Sequence, residues 1–417
     1  MNGKTKTVDE IMKYPLFQLL FILSISALQA QTSEQYSFKI QGIYGTILPH
    51  DQHVKPLIEN PVTGTEISVE FQTMGEKPWQ QFNGFPVIGL GSVWLNLGNP
   101  GKLGNAFALY PYISYPLIRS GYFKLSMKAG AGASYLTKTY RNTNTGFDGT
   151  IIPFDSTNAA IGSALNVYFS FGGSLEIPIS KGFSLMAEYT WNHMSNGSAV
   201  VPNSGLNLLN GFVGIKYSPG YRSSRIPTIQ TLENIPHTCS FEVIASGGFR
   251  QLFYQDNRTY PIGSLVLGVY RPFNNFYRMG AAIDVFYDGV YDGTSLYQRT
   301  YITTNELKNK LRAGVSWQHE LLLGRLTAGI DVGVYLFDPL KNLSPYAKAK
   351  NETLHKPIIY PYDINYEDGW LYTRATLKYA LNNHLFLSLG LKTHLQKAEF
   401  IEWGLGYRFR GRGEKSR

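Results

Sequence analysis

Residues 193 to 207 read HMSNGSAVVPNSGLN, so an imidazole stands two positions before a hydroxyl, at His193 and Ser195, and a carboxamide, Asn207, closes the stretch. A serine hydroxyl is a weak nucleophile until a neighbouring base takes its proton. The base works best when a third group fixes which ring nitrogen carries hydrogen. Hydroxyl, imidazole and amide are therefore the side chains that acyl transfer needs, provided the chain brings them together.

The run before them says how. Phe183, Leu185, Ala187, Tyr189 and Trp191 share a strand face with His193 and Ser195, while Ser184, Met186, Glu188, Thr190 and Asn192 share the other. After the stretch, Asn207, Leu209, Gly211, Val213, Ile215 and Tyr217 alternate with Leu208, Asn210, Phe212, Gly214 and Lys216. Antiparallel pairing of the two runs can set Asn207 beside His193 on the apolar face. A strand at a tilt of about 45° needs about ten residues to cross a hydrophobic band about 25 Å tall. His193 is the eleventh residue from Phe183, which puts it at a membrane interface, beside the interfacial aromatic Trp191.

The same alternation recurs along the chain from Tyr36. Leu326, Ala328, Ile330, Val332, Val334 and Leu336 oppose Arg325, Thr327, Gly329, Asp331, Gly333 and Tyr335; the runs at 123–132 and 385–392 behave alike. Soluble sandwiches alternate too. The closing run, Ile401, Trp403, Leu405, Tyr407 and Phe409 against Glu402, Gly404, Gly406 and Arg408, resembles the aromatic-ended last strand of outer-membrane barrels. About eight such segments lie between Tyr36 and Tyr217 and about eight between Ser240 and Phe409. The expected fold is all-β, an antiparallel transmembrane β-barrel of about sixteen strands; two tandem barrels of eight are the alternative. The divisions are a removable signal peptide at 1–30, a barrel half carrying the chemistry at 36–218, a linker at 219–238 and a second half at 239–410.

Composition agrees with an exported membrane protein. Charged residues make up 16% of the 417, against about a quarter in ordinary soluble chains, while 29 Tyr, 24 Phe and 42 Gly are high. Lys4, Lys6 and Lys13 precede the apolar run Leu16 to Leu28, with Ala30 as a cleavage position and Met12 as an alternative start. That run is too short to span a bilayer comfortably. The single cysteine, Cys239, can form no internal disulfide. A net charge of +9 would suit an anionic partner, but no basic helix or RNA-type aromatic motif accompanies it, so a membrane surface is expected and nucleic acid is not. His50, Asp51 and His53 form a weak metal candidate that lacks a fourth ligand, and no metal or cofactor is expected. Gly89, Gly91, Gly130 and Gly132 precede no helix and read as lumen or bulge positions rather than phosphate loops.

HMSNG followed by PNSGLN resembles the catalytic signature of the PagL-type lipid A 3-O-deacylases, outer-membrane barrel esterases also described as acyloxyacyl hydrolases. The resemblance implies that His193 is the general base and Ser195 the nucleophile. Asn196 and Asn203 match the family's asparagines near the active site, and the oxyanion hole would be formed by Asn203 with the Ser198 N–H, with Asn196 as its third member. It further implies lipid A of the outer leaflet as substrate, with no cofactor. This chain departs from the pattern at Asn207, where the family usually carries a glutamate. No Asp or Glu occurs from Tyr189 to Leu232, and Glu188 has lumen parity. An amide oxygen can still orient an imidazole. The rival expectation is a channel or structural barrel descended from such an esterase.

Overall fold

The computed structural model describes residues 36–50, 53–140, 158–219, 238–252, 258–292, 304–338, 370–394 and 397–410. The expected signal peptide, most of the linker and Asp51 of the histidine cluster lie outside the described residues.

Alternating runs separated by turns give antiparallel strands. In chain order they are β1 (Tyr36–Ile47), β2 (Val62–Gln72), β3 (Val87–Asn96), β4 (Asn105–Arg119), β5 (Lys124–Leu136), β6 (Leu165–Ser180), β7 (Phe183–Ser195) and β8 (Leu206–Tyr217). After the linker come β9 (Ser240–Arg250), β10 (Tyr260–Pro272), β11 (Tyr277–Asp288), β12 (Leu311–Leu323), β13 (Leu326–Phe337), β14 (Leu371–Ala380), β15 (Leu385–His394) and β16 (Lys397–Arg410).

These strands close into two barrels of eight, not one of sixteen. β8 pairs back onto β1, from Phe38↔Tyr217 to Ile47↔Leu208, and β16 pairs onto β9, from Trp403↔Gly247 to Arg410↔Ser240. Alternation decides which face a residue takes, but it leaves open which strand the eighth one meets. What decides closure is the volume of the inward side chains, because an eight-stranded interior is just wide enough for side chains to fill it.

The lumens are filled. In the first barrel Lys128 bridges Glu66 at 3.1 Å and Glu188 at 2.9 Å, and Lys216 meets Glu70 at 2.9 Å. Tyr110 and Tyr112 donate to Glu66 and Glu70 at 2.6 and 2.7 Å. Gly89 and Gly91 face these rings: a Cβ at Gly89 would sit 2.1 Å from the Tyr112 ring, and one at Gly91 would sit 2.7 Å from that of Tyr110. Gly130 and Gly132 are equally pressed against Tyr110. The second lumen holds Arg374 between Asp284 and Asp331, at 2.7 and 2.8 Å, and Lys378 between Glu242 and Glu320, at 3.1 and 2.6 Å. A void there, among Ser246, Gln318, Asp331 and Arg374, has a volume of about 10 Å³, room for about one water.

The outer walls are the reverse, with Ile40, Tyr44, Ile67, Leu90, Leu109, Trp317, Ile330 and Trp403 all exposed. No helix among the described residues is long and apolar enough to cross a membrane, which says nothing of strands.

The two barrels touch at both ends. At the end of the short turns, a helix between β2 and β3, α1 (Pro78–Phe82), lays Trp79 against Gly324, and Asn83 Nδ2 donates to the Leu322 carbonyl at 3.2 Å. At the other end the β7–β8 loop meets Gln251, just past β9, and strands β15 and β16.

Candidate active site

Register places the chemistry. His193 on β7 is the direct partner of Asn207 on β8, and on its other side it is the partner of Phe169 on β6. His193 Nδ1 lies 2.7 Å from Asn207 Oδ1, and His193 Nε2 lies 2.9 Å from Ser195 Oγ. An amide oxygen can only accept, so Nδ1 carries the hydrogen and Nε2 presents a lone pair to the serine hydroxyl. Hydroxyl, imidazole and amide thus form a continuous chain on the outward face of the first barrel. Asn207 replaces a carboxylate, and Glu188 is not a substitute: it is buried in the lumen between Lys39 and Lys128.

Aromatic rings hold the imidazole's plane. Trp191 stacks on it at 5.6 Å and 15°, and Phe169 stacks at 6.4 Å and 29°. At the strand end, Ser195 is buried although it lies on the lipid-facing parity, because the β7–β8 loop folds over it. Gly205 makes this possible. Its φ is +75°, and a Cβ there would lie 2.9 Å from His193 Cε1 and 3.4 Å from Ser195 Cβ. Only glycine meets both demands.

The backbone of Asn207 is fixed as well, its carbonyl accepting from Leu48 N–H at 2.8 Å. His50 lies 3.1 Å from the Leu48 carbonyl through Nδ1 and 3.0 Å from the Ser204 carbonyl through Nε2. It ties the β1–β2 loop to the β7–β8 loop. Among the described residues no group of His, Cys, Asp or Glu side chains could hold a metal ion.

The three residues implied for the oxyanion hole occupy different positions in that loop. Asn203 Oδ1 accepts from Asn196 N–H at 3.1 Å, which leaves its Nδ2 without a partner among the described residues. Asn196 spends its own amide inside the loop, donating to Ser163 Oγ and the Val200 carbonyl at 2.9 Å each. Ser198 has φ +65° immediately after Gly197 at +60°. For a residue with a side chain that conformation costs about 1–2 kcal/mol, so surrounding contacts must hold it. Its N–H has no acceptor among the described residues, whereas its carbonyl accepts from Gln251 N–H at 2.9 Å and its Oγ donates to the Ala398 carbonyl at 3.1 Å.

Sequence reasoning missed Gly205, Phe169, Leu48 and Gln251. Gly205 was visible within PNSGLN as a loop glycine, but its proximity to the imidazole was not. Phe169 has the outward parity of β6 and needed only the β6–β7 register. Gln251 carries no signal, since it comes from the other barrel.

On the outer wall below His193 and Asn207, Tyr44, Thr46, Tyr189, Leu209 and Gly211 with the loop at Ile58–Pro61 line a groove of about 540 Å³. Gly211 and Leu209 are the register partners of Tyr189 and Trp191, so the groove starts one pair from His193.

Two closed antiparallel barrels with apolar walls and packed lumens, carrying a hydroxyl–imidazole–amide chain on an outward face, define a membrane β-barrel whose site faces sideways. The chain belongs to the PagL family. Residues 63–216 match the family model for lipid A 3-O-deacylase, PagL, and residues 239–348 and 358–411 match that for the C-terminal domain of acyloxyacyl hydrolase. This is a family of lipid A deacylases, and with the barrel fold it indicates the outer membrane. Similar solved structures include Neisserial surface protein A, at 7% identity over 44% of this chain and 96% of that one, with TM-score 0.31. The outer membrane enzyme PagL is 16% identical over 43% of this chain and 98% of its own, with TM-score 0.27. A de novo designed transmembrane β-barrel is 16% identical over 43% and 93%, with TM-score 0.22. No curated protein matches the chain.

Proposed function

We propose that this chain hydrolyses the ester holding a 3-O-linked acyl chain on lipid A, with Ser195 as nucleophile, His193 as general base and Asn207 as the group that orients the ring. The observation that carries the reading is His193 suspended between Asn207 at 2.7 Å and Ser195 at 2.9 Å. His193 Nε2 takes the Ser195 proton as Oγ attacks the ester carbonyl. The imidazolium then returns that proton to the departing 3-oxygen of the sugar, leaving an acyl-serine. Water, deprotonated by the same nitrogen, attacks the acyl carbon and releases a fatty acid and free Ser195.

The charge that develops on the carbonyl oxygen is met by Asn203 Nδ2 and the Ser198 N–H, neither of which has a partner among the described residues. Asn196 shapes that hole without donating to it, since its hydrogens are committed within the loop. The groove along Tyr44, Leu209, Gly211 and Tyr189 receives the acyl chain, and the lipid is drawn from the outer leaflet. A net charge of +9 favours a phosphorylated lipid.

Mass spectrometry of lipid A from cells expressing the wild type, Ser195→Ala or neither tests the reading. Loss of one hydroxyacyl chain only with the wild type supports it; lipid A unchanged by the wild type would overturn it.

A further inference from the structure

We infer that the second barrel is a positioning element for catalysis: it grips the β7–β8 loop and holds the Ser198 N–H at the oxyanion, with Gln251 as the positioning residue. The inference rests on the proposed serine mechanism.

Three hydrogen bonds cross from one barrel to the other within four residues of this loop. Gln251, the first residue after β9, donates its N–H to the Ser198 carbonyl at 2.9 Å and accepts from Val201 N–H through Oε1 at 3.1 Å. Ser198 Oγ donates to the Ala398 carbonyl on β16 at 3.1 Å. Gly197 is seated on the wall formed by register partners Leu391 and Ile401: a Cβ there would lie 2.5 Å from Ile401 Cγ1. Gln251 is itself buried. The carbonyl and hydroxyl of Ser198 are thus tied to the second barrel, while its N–H alone stays unpaired among the described residues. Both Gly197 and Ser198 are left-handed, at φ +60° and +65°. Such a pair is costly for the residue that carries a side chain. It does not persist in an exposed loop without external support. The first barrel supplies the nucleophile and base, and the second supplies the rigidity of the hole.

The test uses the purified full chain with a defined 3-O-acylated lipid A ester and, separately, a long-chain alkyl fluorophosphonate that phosphonylates an activated serine. Gln251→Met keeps the volume but loses the acceptor, and should lower kcat about tenfold with KM unchanged, because the oxyanion exists only in the transition state. Phosphonylation should slow in parallel. Gln251→Glu, which restores an acceptor oxygen, should recover most of both rates. Trp79→Leu, which loosens the contact at the opposite end, should leave both rates unchanged. Ser198→Ala removes a different crossing bond and should reproduce the Gln251→Met loss, which covers the case in which Gln251→Met does not assemble. Wild-type kcat in both Gln251→Met and Ser198→Ala would overturn the inference, as would a Trp79→Leu loss equal to theirs. Full activity in Ser195→Ala would remove the serine mechanism itself, and the clamp with it. Inactive Ser195→Ala beside an unaffected Gln251→Met removes only the clamp.

Discussion

Ser195→Ala and His193→Ala should each lower turnover by about 10³-fold or more, since members of such a chain act as a unit. Both should leave assembly unchanged, because neither side chain fills the lumen; heat-modifiable gel mobility checks this. Asn207→Ala should slow turnover by about 10- to 10³-fold through loss of ring orientation. Asn207→Glu bears on pH. A base works while neutral, and a carboxylate at 207 would stabilise the imidazolium, so the ring would stay protonated to higher pH. The acid limb of kcat/KM should therefore move upward, with a higher plateau, in a profile over about pH 4 to 9. An unshifted limb would mean that residue 207 does not contact the ring during turnover. Gly205→Ala should cost about 10²-fold in kcat, because a methyl 2.9 Å from His193 Cε1 pushes the ring off line. That His193, Ser195 and Asn207 could meet was legible in the sequence because parity and pairing are local rules. Gly205 and Gln251 were not, since each acts through a contact that only loop closure or barrel docking creates.

Strands carry their own evidence. The inward and outward faces of β7 and β8 follow the alternation residue by residue, and turn residues mark their ends. What alternation could not convey is how lumen charges pair, because Glu66, Lys128 and Glu188 come from three strands separated by 62 and 60 positions. That cluster is buried in the first barrel's lumen. Lys128→Met would leave Lys39, 3.6 Å from Glu66, as the one cation shared by Glu66 and Glu188 among the described residues. Removing one member of a buried ion pair costs about 3–5 kcal/mol, and the remaining lysine should hold the loss near the lower figure. The urea midpoint of the vesicle-reconstituted protein, followed by tryptophan fluorescence, should fall accordingly. An unchanged midpoint would show the cluster to be dispensable.

At the level of the molecule, strand number was readable and closure was not. The inward set Tyr110, Tyr112, Tyr168 and Phe212 held the clue, for side chains of that size fill an eight-stranded interior and would leave a sixteen-stranded one largely hollow. Packed lumens bear on the rival reading of a channel: the purified protein should give no stepwise conductance in planar bilayers, and regular open steps would contradict the packing. His193 and Asn207 look outward from the wall, so under the proposed function the substrate would arrive by lateral diffusion within the lipid sheet. Two-dimensional crowding then replaces bulk concentration as the quantity that governs encounter. In mixed micelles, turnover should follow the mole fraction of lipid A in the amphiphile. Adding inert detergent at constant total lipid A should slow the reaction, whereas diluting the whole mixture with micelle-free buffer above the critical concentration should hardly change the rate per enzyme. An enzyme fed from water would show the opposite pair of responses.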